Sequence, residues 1–244
     1  MSRSSFVFPS DSPSHTRTAP LTHARFLTRR DLPALLTLEG EKWDAIQAAS
    51  SDDLLQRLED YPSLSTGAFC KSTGTLLASL FMRPVHADFW CHAASWVDCV
   101  DSPRPARSHS LFGISLSSSH PSGVEALLEF FWPHALKSGW RHIYLGSPIP
   151  GFEGWLRSHR DRSVQDYIAL QRAGVPVDPQ LRYYHGRGFK DIVCVKPDYF
   201  PHARSLDNGV ILRGTVPLSL LKPIWKMMPL TSTQRVTRHL VTML

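Results

Sequence analysis

The pattern of apolar residues predicts an α/β fold with a mixed central sheet flanked by helices. Two observations carry this. Short apolar runs of strand length alternate with longer segments whose apolar residues recur at three- and four-residue spacing, and no segment is repeated elsewhere in the chain. The 244 residues, 42% hydrophobic and 20% charged, suffice for one well-buried core. The expected organisation is a leader over residues 1–21, a domain over 22–216 with an insertion at 151–180, and an extension over 217–244. The leader is rich in Ser, Thr and Pro and lacks the continuous apolar stretch of a secretion signal, so it reads as disordered.

The first strand is Ala24 to Leu27. Thr28 can cap the following helix, with Asp31 in its electropositive first turn and Leu32, Leu35, Leu36 and Leu38 within it. Ser50 and Asp53 form a capping box ahead of Leu54, Leu55 and Leu58, which predicts a second helix. Gly67 to Lys71 and Leu76 to Val85 are strands joined by a hairpin turn around Gly74. After a polar, proline-rich gap at 101–107, Leu111 to Leu116 is a central strand. A helix follows from Pro121 to Lys137, carrying Val124, Leu127, Leu128, Phe131 and Leu136 on one face and ending before Gly139. His142 to Gly146 is the next strand. Inside the insertion, a helix is expected from Val164 to Arg172, ended by Gly174 and Pro176. A short helix around 179–187 precedes strands at Ile192 to Val195 and Val210 to Arg213. In the extension, Val236, Leu240 and Leu244 would share one face of a helix starting at Thr233.

No uninterrupted apolar run reaches the roughly 18 residues that a transmembrane helix needs. The four cysteines contain no C-x-x-C pair, and a chain of this length needs no disulfide framework, so a reducing cytoplasm is the simplest setting. His86, Cys91, His92 and Cys99 are ligand types, but their irregular spacing does not suit one tetrahedral ion, and no metal is expected. The net charge of +6 favours anionic partners. The basic residues are scattered and form no basic helix, which argues against nucleic acid and leaves anionic lipid, a CoA phosphate or an acidic carrier protein.

The element order, together with Asp178-Pro-Gln-Leu-Arg-Tyr-Tyr-His-Gly-Arg-Gly-Phe189, resembles the GNAT superfamily of N-acetyltransferases over roughly residues 24–214. Tyr184 falls on the tyrosine that precedes the family's Gly-Phe pair. A narrower resemblance, carried by Tyr167, Asp178-Pro179, Pro197-Asp-Tyr-Phe-Pro201 and Asn208-Gly-Val-Ile-Leu212, is to GNAT domains linked to polyketide synthases or fused to nitrilase-like hydrolases. The resemblance implies an acyltransferase using acetyl-CoA, another acyl-CoA or the phosphopantetheine of an acyl carrier protein, with an amine or thiol acceptor. Two alternatives stay open: a non-catalytic module that binds a carrier protein, and a loading domain that decarboxylates a malonyl thioester. Such loading domains place a histidine near an Arg-aromatic pair; here Tyr184 occupies that place and His185 follows it.

Acyl transfer passes through an oxyanion and expels a thiolate, so it needs oriented donors and a proton source. The resemblance assigns the proton to Tyr184; His185 is a candidate base, and Glu39 and Glu41 are alternative bases at positions where acids are usually solvated. It also implies thioester contacts from Ile114 and Leu116 on the central strand and from Ser119, Ser122, Gly123 and Val124 after it. Family members carry Q/R-x-x-G-x-G/A there, because backbone amides at a helix start wrap a pyrophosphate. The corresponding stretch here, Ser117-Ser-Ser-His-Pro-Ser-Gly-Val124, keeps one glycine, and Pro121 removes an amide. This pattern fits either an altered CoA site or a carrier-borne pantetheine, which has no nucleotide to cradle.

Overall fold

The computed structural model describes residues 20–43 and 47–241. The first nineteen residues of the expected leader, and Leu244, lie outside them. The chain runs through β1 (Thr22–Phe26), α1 (Leu32–Lys42), α2 (Ser51–Asp60), β2 (Ser65–Cys70), β3 (Leu76–Val85), α3 (Phe89–His92), α4 (Trp96–Asp101), β4 (Ser110–Ser118), α5 (Pro121–Ser138) and β5 (His142–Pro148). It continues through α6 (Phe152–Ser158), α7 (Val164–Ile168), β6 (Gln171–Arg172), β7 (Val175–Pro176), α8 (Pro179–His185), β8 (Asp191–Lys196), β9 (Gly209–Thr215), α9 (Lys222–Met227) and α10 (Leu230–Val241). Among the described residues seven strands form a mixed sheet in the order β1-β2-β3-β4-β5-β9-β8, and β6 and β7 pair separately. Among the described residues no helix is long and apolar enough to cross a membrane. The described residues divide into two compact units, those up to Met82 with Ser115–Trp132, and Arg83–Ile114 with those from Pro133 onward.

In the first unit, local capping sets the helices. Asp31 accepts from the Thr28 amide at 2.8 Å and hydroxyl at 3.0 Å, and pairs with Arg25 at 2.6 Å. The Arg25 hydrogen bond holds the Asp31 carboxyl below the usual carboxylate range. At α2, Asp53 N donates to Ser50 Oγ at 3.1 Å while Ser50 N donates back to Asp53 Oδ2 at 3.0 Å, the expected capping box. Strands β1, β2 and β3 pair antiparallel, with a bulge at Ala68/Phe69. Gly74 turns the hairpin at φ 72°, a conformation that favours glycine. On α5, Val124, Leu127 and Phe131 are buried at helical spacing. Gly123 lets this helix approach β3: a Cβ there would meet Ala78 Cβ at 3.0 Å and the Leu77 carbonyl carbon at 3.1 Å.

The second unit is built on β5, β9 and β8, which pair antiparallel from His142↔Thr215 to Pro148↔Gly209 and from Asp191↔Arg213 to Lys196↔Gly209. The parallel ladder between β4 and β5 covers four pairs, Ser110↔His142 to Gly113↔Leu145. Two short helices, α3 and α4, precede β4 in a stretch where periodicity shows none. The second is capped reciprocally by Ser95 and Asp98. Phe89 of α3 packs against Phe112 and edge-on to Tyr144, with centroids 5.4 and 5.3 Å apart. The Tyr199 side chain lies over two glycines, since a Cβ on Gly146 would come within 2.1 Å of its hydroxyl oxygen and one on Gly209 within 2.3 Å of its ring.

Residues 151–180 depart from the expected single helix. An unexpected helix, α6, opens the segment, α7 stops at Ile168, and Gly174 closes the β6–β7 hairpin rather than a helix. Ala173 and Gly174 both have positive φ, 53° and 77°, as a two-residue primed turn requires. Phe152, Tyr167 and Leu181 form a buried cluster with Ile149, Val210 and Leu212. Its polar centre is Asp178, 2% exposed. One carboxylate oxygen caps α8 by accepting from Gln180 N at 2.9 Å and Leu181 N at 3.1 Å; the other accepts from Gly151 N at 3.0 Å and Tyr167 OH at 2.8 Å. At the C-terminal end, Lys137 Nζ donates to the carbonyls of Trp225 at 3.0 Å and Met228 at 2.6 Å, which ties α9 to α5. The expected C-terminal helix is α10; it buries Thr233 and Thr237, whereas Val236, expected on its packed face, is 44% exposed.

Candidate functional site

The turn from β4 into α5 is where a nucleotide diphosphate would need free amides, and the structure commits them elsewhere. Ser119 N donates to Leu77 O at 2.8 Å, His120 N to Ser118 Oγ at 3.3 Å, Ser122 N to His120 Nδ1 at 3.2 Å and Gly123 N to His120 O at 3.0 Å. Pro121 has no N–H. The hydroxyls are engaged as well: Ser119 with Leu77 O at 3.2 Å, Ser118 with His120 O at 2.9 Å and Ser122 with His120 Nδ1 at 2.8 Å. Ser119 is exposed, Ser122 half-buried, and Gly123 and Val124 are buried against the unit's own core. Leu116, on β4, is half-buried.

One turn of α1 places an acid inside the same unit. Leu35, Leu38 and Glu39 share its buried stripe at i, i+3, i+4 spacing, and Glu39 is only 2% exposed, whereas Glu41 is exposed. Ser117 of β4, 1% exposed, donates its hydroxyl hydrogen to Glu39 Oε1 at 2.5 Å. Trp43, just past the end of α1, donates Nε1–H to Ser117 Oγ at 2.7 Å. Burial pushes the Glu39 carboxyl above the ordinary carboxylate range, opposed by the Ser117 hydrogen bond and by the positive charge of Arg57. Sequence reasoning placed Glu39 among solvated acids. The signal that could have found it is its position on the apolar stripe of α1.

In the second unit, α8 carries the predicted acid and base. Tyr184 packs on the buried cluster around Leu181 and Leu212, edge-on to Phe189 with centroids 6.1 Å apart and to Tyr183 at 5.5 Å. Burial raises its phenol to about 12, opposed by a hydrogen bond with Gln180. His185 ends the helix half-buried. Ile114, 5% exposed, has its carbonyl engaged by Trp96 Nε1 at 3.2 Å. His86 and His92 line a cavity of about 360 Å³ with Asp88, Phe89 and Asp98. Among the described residues no three His, Cys, Asp or Glu side chains are grouped to hold a metal ion. Cys99 is buried beside Tyr199 OH, 3.9 Å away, and burial raises its thiol to about 11, so it is no nucleophile at neutral pH.

The sequence matches no protein-family model and no curated protein. Solved structures do match. A GNAT-like decarboxylase, GphF, in complex with isobutyryl-CoA superposes with a TM-score of 0.65 at 23% identity, over 80% of this chain and 99% of that one. The loading GNATL domain of CurA from Lyngbya majuscula gives 0.65 at 16% identity, over 80% and 98%. The chain has the GNAT fold. At a TM-score of 0.50 and 12% identity, over 80% and 98%, it is also similar to a chain of the NatC complex bound to Gag peptide and CoA. In GNAT terms, β4 is the central strand and α5 the helix that follows it, while the Glu39–Ser117–Trp43 arrangement has no place in the motif by which the sequence resembles the superfamily.

Proposed function

We propose that this protein moves the acyl group of an acyl thioester to an amine or thiol acceptor. The observation that carries the reading is the GNAT fold, found also in the GNAT-like decarboxylase GphF in complex with isobutyryl-CoA and in the loading GNATL domain of CurA. The acceptor attacks the carbonyl carbon, the C–S bond breaks, and the departing thiolate takes a proton. Tyr184 is our candidate for that proton. Burial raises its phenol to about 12, above the roughly 8.5 of a cysteine thiol, so it hydrogen-bonds to the sulfur and passes its proton as the C–S bond breaks, in a step that runs uphill. His185 is the candidate for receiving the acceptor's proton, and Ile114 and Leu116 for lying against the thioester arm.

The committed amides of residues 119–123 favour pantetheine carried by an acidic carrier protein over free CoA, because the arm needs no diphosphate cradle. In this reading residues 22–216 are the catalytic domain, with 217–244 as an extension of it, working in the cytoplasm within a polyketide pathway. Thiol release from acetyl-, malonyl- and longer acyl-CoA and from the matching acyl carrier proteins tests the proposal; release from none of them sinks it. Tyr184→Phe should lower kcat more than it raises KM. A second reading, malonyl-thioester decarboxylation, is favoured by the likeness to GphF and is separated by carbon dioxide release without an acceptor. Carrier-protein binding without thioester consumption would instead mark a non-catalytic module.

A further inference from the structure

The polar cluster beneath α1 and α2 is not explained by packing. Glu39 and Ser117 are almost wholly buried, and two further hydroxyls on the same side of the strands, Ser115 of β4 and Ser79 of β3, are buried without a hydrogen-bond partner among the described residues. Ser115 and Ser117 share a side because they lie two apart on one strand, as do Ser79 and Phe81, over whose ring Arg57 of α2 sits at 5.8 Å. Burying a carboxyl and orphaned hydroxyls costs stability that apolar side chains of similar size would not. A hydroxyl has one hydrogen and two lone pairs. Trp43 occupies one lone pair of Ser117. While Glu39 is ionised, the Ser117 hydrogen is committed to it; once Glu39 is protonated, its own O–H donates to the second lone pair and the Ser117 hydrogen is released.

We propose that Glu39 is a positioning residue that turns the Ser117 hydroxyl toward the acyl oxygen of a thioester bound along β4. This rests on the acyl-thioester reading above. Burial raises the Glu39 carboxyl above the ordinary carboxylate range, so the outward-donating state of Ser117 persists to higher pH than it would beside a solvated acid. The charged group facing Glu39 from α2 is Arg57, with Asp53 beside it; β3 and β4 bring Ser79, Phe81, Ser115 and Ser117, Arg83 follows Phe81 two positions on along β3 with its guanidinium on the Ser102 carbonyl, and Trp43 is uncharged. On α1 itself Glu41 and Lys42 are exposed.

The test is the pH dependence of kcat/KM with whichever acyl-pantetheine or acyl-CoA is turned over, alongside the indole N–H resonance of Trp43 in protein labelled with 15N-tryptophan, assigned with Trp43→Phe. In the wild type, kcat/KM should fall tenfold per pH unit above an inflection higher than the ordinary carboxylate range, and the Trp43 resonance should shift across the same interval. Glu39→Gln donates permanently to Ser117 and should abolish both the limb and the shift. Ser117→Ala, which opens less of the core, should lower kcat/KM by about 10- to 100-fold and remove the limb. A limb that survives in folded Glu39→Gln or Ser117→Ala overturns the proposal and leaves the acyltransferase reading standing. A Trp43 shift with no limb in the rate also overturns it, because Glu39 is then structural. Absence of turnover with every thioester overturns both.

Discussion

Replacing Asp178 tests how the second unit is held together. Its carboxylate accepts four hydrogen bonds while 2% exposed, so Asp178→Ala removes four acceptor contacts at once. Losing the N-cap of α8 costs about 1 kcal/mol. Leaving the Tyr167 hydroxyl and the Gly151 amide without an acceptor costs about 1–3 kcal/mol each. The sum is about 5 kcal/mol, a large part of the roughly 5–15 kcal/mol by which domains are stable. With a urea m-value of about 2 kcal/mol/M, the midpoint should fall by about 2.5 M. Asp178→Asn keeps Oδ1 for the cap but sets an amide N–H₂ against the Gly151 N–H, and should cost about 2 kcal/mol. Urea unfolding followed by tryptophan fluorescence reports directly, because Trp155 packs 5.3 Å from the Tyr167 ring. A loss below about 1 kcal/mol for Asp178→Ala would refute the reasoning, since the buried donors would then have other acceptors.

If the amides of residues 119–123 stay committed to Leu77, Ser118 and His120, the nucleotide adds little to binding: KM for an acyl-CoA should lie within about threefold of KM for the same acyl-pantetheine, under 1 kcal/mol. A KM lower by two orders of magnitude for the CoA ester would show that the turn opens. His202 is 8% exposed with Nδ1 2.7 Å from Ser205 Oγ, and burial holds its pKa below the usual value. The unfolded chain then binds the extra proton first, so stability should be level above about pH 6.5 and decline below it; thermal unfolding of His202→Gln should show a smaller decline. Lys137→Met removes both bonds to the carbonyls of Trp225 and Met228 and should speed proteolytic cleavage between residues 217 and 230, visible by mass spectrometry, before the rest of the chain is cut.

Much of the fold is legible because it is encoded locally. Ser50 and Asp53 name the start of α2, Pro121 and Gly139 bracket α5, and Gly74 names a turn, since each acts through backbone geometry and hydrogen bonds within a few residues. The same signal was present and unread at Ser95 and Asp98, because α4 is too short to show apolar periodicity. Gly174 was ambiguous: positive φ ends a helix as readily as it closes a hairpin, and only the pairing of Arg172 with Val175 decides.

The candidate site divides along the same line. The likeness around Tyr184 and the loss of glycines before α5 are properties of the sequence alone, and with the order of elements they determine an α/β chain of GNAT type with an altered diphosphate turn. Only the tertiary structure decides where each polar group finds its partner. Ser119 is forty-two positions from Leu77, yet it is the Leu77 carbonyl that takes the Ser119 amide. Glu39 lies on the apolar stripe of α1 and Glu41 does not, but only packing brings Ser117, 78 residues away, against it and makes it a buried, hydrogen-bonded acid. Burial and hydrogen-bond partnership are long-range outcomes of packing, and they set the chemistry that residue type only permits.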